Sequence, residues 1–125
     1  MLAAALVLSG CGSDARADTV YAGRELRGQI NLLRLVVQAD RASAPPVPTL
    51  SVTVQNAADE IGSAGTDAAV IPDDRTRASF VSIADRAVQA AHRLDDALGD
   101  GQGLDQIDAQ LRGLLAELDG WGVPA

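Results

Sequence analysis

Four stretches of the chain repeat apolar residues at alternating intervals of four and three. The first is Leu26, Ile30, Leu33 and Val37, and the second runs Leu50, Val54, Ala57, Ile61, Ala64, Ala68, Ile71. The third is Phe80, Ala84, Ala87, Ala91, Leu94 and Leu98, and the fourth is Leu104, Ile107, Leu111, Leu114, Leu118 and Trp121. An α-helix turns once every 3.6 residues, so this spacing gathers the apolar side chains on one face and leaves the rest for water. Four such stripes joined by short connections predict an all-α, antiparallel four-helix bundle.

The punctuation between the stripes sets the expected boundaries. Thr19 is placed to cap a first helix running to about Ala42, whose stripe is widened by Leu32, Leu35 and Val36. Ala44-Pro45-Pro46-Val47-Pro48 then stops it, because proline lacks the amide donor and pushes its predecessor out of the helical region. The second helix is expected from about Thr49 to Ile71. Within it Ser51-Val52-Thr53-Val54 suits a strand by propensity, but a lone strand has nothing to pair with. The spacing permits one long helix, while Gly62, Gly65 and the cap-like Thr66-Asp67 point to a break or kink near residues 63–67.

Asp73 or Asp74 caps a third helix to about Leu98, with Asp73 and Arg77 spaced for an i,i+4 ion pair. Its seam is rich in alanine, which permits close approach but buries little area and predicts modest stability. The run Gly99-Asp100-Gly101-Gln102-Gly103 ends it through left-handed glycine conformations. The fourth helix spans Leu104 to Asp119 and carries a second i,i+4 pair, Asp108 with Arg112. Gly23 and Gly28 in the first helix cost stability and mark places where another backbone approaches.

Ahead of the bundle, Leu2 to Leu8 is a short run of Leu, Ala and Val, far below the roughly 20 residues a helix needs to span a bilayer. It ends in Leu8-Ser9-Gly10-Cys11, an aliphatic residue, two small ones and the only cysteine. This order resembles the lipobox of bacterial lipoproteins, over residues 1–11 alone. The resemblance implies cleavage between Gly10 and Cys11 and lipid attachment at Cys11. Residues 1–10 then form a signal peptide, 11–18 a lipidated tether, and 19–125 the helical domain. Such a signal peptide carries positive charge in front of its apolar core; no Arg or Lys precedes Leu2, so a basic segment is expected upstream. Two acyl chains give stable anchoring where one is marginal.

Composition narrows the chemistry. At 125 residues the chain is expected to form one domain. A single cysteine excludes an internal disulfide, a thiol-redox pair and a cysteine zinc site. The formal charge is −7 and all ten basic residues are arginine, which fits a GC-rich coding bias. Nucleic acid and anionic lipid surfaces both demand basic patches, so neither is an expected partner. Tyr21, Phe80 and Trp121 are too few to build a stacking platform.

His92 is the only imidazole. Asp95 and Asp96 share its helical face and would complete a metal site only with ligands from other helices; no Glu-x-x-His motif supplies them. Asp96, Asp100 and Gly101 look superficially like a calcium loop, yet the third and twelfth positions hold Leu98 and Ile107 where oxygen ligands are required. No glycine-rich nucleotide loop occurs. No catalytic residue, cofactor or metal is therefore expected, and Trp121 is expected to close the end of the core. The expectation for function is a lipid-anchored, extracytoplasmic binding or accessory module for an envelope protein. Second stands a bundle that binds a small apolar ligand between its alanine-poor first and fourth helices. An enzyme or metal-binding protein comes third.

Overall fold

A computed structural model describes the backbone of residues 2–43 and 45–120 and the side chains of residues 20–43 and 45–120. The side chain of Cys11 and the whole of Trp121 lie outside the described residues. The chain forms an all-α four-helix bundle: α1 (Leu2–Arg41), α2 (Val47–Asp67), α3 (Asp74–Ala97) and α4 (Leu104–Asp119), with a single 3₁₀ turn at Ala68–Val70. Each helix packs on two neighbours, α1 and α3 each lying against both α2 and α4. Successive helices therefore run up and down around a square. One end of the square carries the α1–α2 and α3–α4 connections; the other carries the α2–α3 connection and the end of α4.

The stripes read from sequence are the core. Leu26, Ile30, Leu33 and Val37 are fully buried, as are Ala57, Ile61, Phe80, Ala87, Leu94, Leu111 and Leu118. No buried side chain among the described residues is polar or charged. The alanine seam brings α2 and α3 close together. A Cβ built on Gly65 would stand 3.3 Å from the Cβ of Ala84, so this glycine serves helix approach.

Of the two readings of the second helix, continuous or broken, the structure has the continuous one as far as Asp67. α2 runs unbroken through Gly62 and Gly65 to Asp67, and Thr66 donates its hydroxyl to the Gly62 carbonyl at 3.2 Å instead of opening a new helix. The chain tightens only afterwards, into the 3₁₀ turn that seats Ala68 in the core. α2 also begins two residues before Thr49, because its prolines fall at Pro46 and in the first turn, where no intrahelical amide bond is lost.

Two further expectations change. The helical backbone of α1 is continuous from Leu2, where a start at Thr19 was expected; among the described side chains Ala22 is the first of α1 to pack against the core. Leu35 does not widen the buried stripe, for it is 59% exposed. It stands about 200° around the helix from both Leu33 and Val37, while Val36 turns inward.

At the start of α3, Asp73 is the cap: its carboxylate accepts from the Thr76 amide at 2.8 Å and the Thr76 hydroxyl at 2.7 Å. Asp73 is thereby occupied, and Arg77 pairs with Asp74 instead while donating to the Ile71 carbonyl at 2.8 Å. At the far end Gly99, Gly101 and Gly103 all have positive φ, as the run of glycines foretold.

Candidate functional site

The polar groups with the most definite geometry lie along the two seams that hold α4. On one side Arg27, Arg34 and Arg41, each seven residues from the next along α1, reach across to Asp119, Asp108 and Asp105. On the other side Arg86 and Arg93 of α3, again seven apart, meet Glu117 and Gln110. A seven-residue interval is two helical turns, so each set forms a ladder flanking its apolar stripe, the place where coiled coils fix partner and register.

The inner rung of the first ladder is a three-membered cluster. Asp108 accepts from Arg34 at 3.0 Å and from Arg112 of its own helix at 3.2 Å. The Asp108–Arg112 pair was legible in the i,i+4 spacing; Arg34 was not. In the second ladder Arg86 donates both its terminal nitrogens to Glu117, at 2.7 and 2.8 Å. Those two bonds hold the Glu117 carboxyl below the usual carboxylate range and raise the Arg86 guanidinium further. At the α3 cap, the Thr76 hydroxyl and then its amide lower Asp73 in the same sense.

The residues weighed for metal chemistry do not converge. His92 is exposed on α3, and Asp95 accepts the Ser51 hydroxyl at 2.6 Å, which ties it to α2. Among the described residues no three His, Cys, Asp or Glu side chains are grouped to hold a metal ion. Asp100 and Gly101 sit in the turn after α3, and Asp96 is exposed on the helix before it.

Two clefts open on the surface. The larger, about 940 Å³, lies at the end where α1 finishes and α4 begins, between residues 40–47 and 99–106. Charged groups border it: Arg41 is paired with Asp105, and Asp40 accepts the Gly99 amide at 3.1 Å. It is an open basin at the ends of the helices, unlike a slot between the apolar faces of α1 and α4. The smaller, about 630 Å³, is a groove where α2 meets α3, lined by Gly65, Ala69, Ala78 and Val81 together with Asp74 and Arg86.

Comparison with known proteins returns no likeness: no protein-family model, no curated protein and no solved structure matches the chain. Among the described residues no helix is long and apolar enough to cross a membrane.

Proposed function

We propose that the chain is a lipid-anchored, extracytoplasmic lipoprotein whose helical domain works by binding, as an accessory module for a protein of the cell envelope. The observation that carries this reading is the order Leu8-Ser9-Gly10-Cys11 behind an apolar run, which resembles a lipobox. Lipid on Cys11, through two acyl chains, supplies enough buried methylene for lasting attachment at about 0.8 kcal/mol each.

The domain itself supports a binding role over catalysis. Its core is wholly apolar among the described residues, and Arg27, Arg34, Arg41 and Arg86 are each engaged in an ion pair to α4. A nucleophile or general base needs a neighbour that activates it, and exposed His92 lines neither of the two clefts. α1 enters the bundle at the end opposite the 940 Å³ basin, so an anchor on Cys11 turns that basin away from the membrane. At 1.5 Å per residue the 24 residues of α3 set the two ends about 36 Å apart. The outward end is the one a partner reaches.

The test is the partitioning of Cys11→Ala. With the full chain expressed in a bacterium, the parent is expected in the membrane fraction and the variant in the soluble fraction. Parent and variant partitioning alike would remove the anchor and the compartment together.

A further inference from the structure

The 630 Å³ groove is lined by small and apolar residues, Gly65, Ala69, Ala78 and Val81, and it extends around α3 to Ser82 and Arg86. Arg86 also donates both terminal nitrogens to Glu117 of α4, so the groove reaches the seam between those two helices. Along that seam Arg93 meets Gln110, and Arg86, seven residues earlier, meets Glu117, seven residues later. The two helices therefore run antiparallel in step. Position 121, four residues past Glu117, falls level with Ser82, four residues before Arg86. Four residues make close to one turn, so position 121 also keeps to the side of α4 that meets α3.

Beyond Gly120 the sequence continues as Trp121-Gly122-Val123-Pro124-Ala125, an apolar run with no charged side chain. Such a run gains by leaving water. From this juxtaposition we infer that residues 121–125 form a strap that crosses the outer face of α3 and fills the groove. Trp121 closes the end of the α3–α4 seam against Ser82 and Arg86, and Val123 lies over Ala78 and Val81.

Reach and local chemistry both suit this course. Five extended residues cover about 17 Å, and packed helix axes stand about 8–10 Å apart. Gly122 lets the chain turn away from the line of α4, and Pro124 favours an extended backbone with no amide to leave unpaired. Glu117 fixes the plane of the Arg86 guanidinium through two bonds, which offers an indole a flat cation to stack on. The strap goes beyond the lipid-anchored reading and does not depend on it.

Disulfide trapping in the full chain tests this, with Cys11→Ala removing the only native thiol. Two pairs are compared, Val123→Cys with Ala78→Cys and Val123→Cys with Tyr21→Cys. Ala78 and Tyr21 are both exposed at the end of the bundle where α4 finishes, on the two helices that flank it. Under mild oxidation the first pair is expected to close within one chain about tenfold faster than the second, because a docked strap raises the effective concentration of its thiol at one site. Equal rates, a faster second pair, no closure of either, or a disulfide between chains overturns the strap. Trp121 is the only tryptophan and gives a second reading. Its fluorescence is expected to be shielded from acrylamide in the parent chain and to become several-fold more quenchable in Val81→Asp, with the circular dichroism still helical. Unchanged quenching in a folded Val81→Asp overturns the strap. Neither measurement involves lipid on Cys11, so failure of the strap and failure of the anchor are told apart.

Discussion

Asp108 of α4 lies between two guanidinium groups, accepting from Arg34 at 3.0 Å and from Arg112 at 3.2 Å. Its side chain is 14% exposed, whereas that of Asp105, one turn earlier on the same seam, is 96% exposed. Water screens an exposed pair almost completely, while hydrogen bonds to a charged and partly buried group persist. Asp108→Ala is expected to lower stability by about 1–2 kcal/mol, since it also leaves two arginines facing each other, and Asp105→Ala by no more than about 0.5 kcal/mol. Urea denaturation at low and high salt checks both, with the Asp108 effect the larger in each. Equal effects at the two positions would mean that the ladder does not discriminate by burial.

The helix glycines separate into those that something approaches and those that nothing does. A methyl at Gly113 meets nothing within 4 Å, whereas one at Gly65 stands 3.3 Å from Ala84. Gly113→Ala is expected to stabilise the fold by about 0.8–1 kcal/mol, the helix-propensity gain. Gly65→Ala is expected to be near neutral, because the same gain is offset by pushing α2 away from α3. Thermal unfolding of the two variants side by side reads this difference; an equal gain from both would show that the α2–α3 approach is loose.

The alanine seam on α3 is filled space. Ala87 and Ala91 are fully buried between neighbouring helices, so Ala87→Leu is expected to cost about 1–3 kcal/mol through overpacking. A stabilising effect, read by chemical denaturation, would mean that the seam encloses a void.

Acid should weaken the bundle through the Arg86–Glu117 rung and the Asp73 cap. Both carboxyls sit below their ordinary range in the folded chain. A depressed folded pKa contributes stability above the unfolded value, about 4, and loses it as pH falls through the folded value. Glu117→Gln removes that contribution at neutral pH and flattens the acid limb. The melting temperatures of parent and variant are therefore expected to differ at pH 7 and to converge as pH drops below about 4. A constant difference across that range would assign the effect to packing.

How much of this was written in the sequence follows from which forces are periodic. Leu26, Ile30, Leu33, Val37 and their counterparts in the other helices were legible as core because burial repeats with the helical turn. The ladder of Arg27, Arg34 and Arg41 went unread although its interval of seven stands in the sequence, and its partners on α4 were not legible at all, since pairing across a seam depends on which helices adjoin, and four stripes do not state their order. Gly65 misled for a related reason: alone, a glycine reads as flexibility, and only the nearness of Ala84 turns it into a contact. Leu35 was assigned inward by its apolarity although its angle around the helix already set it outside. Of the candidate site, the Asp108–Arg112 pair was legible by its i,i+4 spacing, whereas the tie of Asp95 to Ser51 required knowing how α3 lies against α2.

The central claim is that Cys11 anchors this bundle, and the intact mass of the native protein purified from bacterial membranes addresses it most directly. The expected species begins at Cys11 and carries the added mass of acyl chains on that residue. An intact leader followed by a free thiol at Cys11 would contradict the claim.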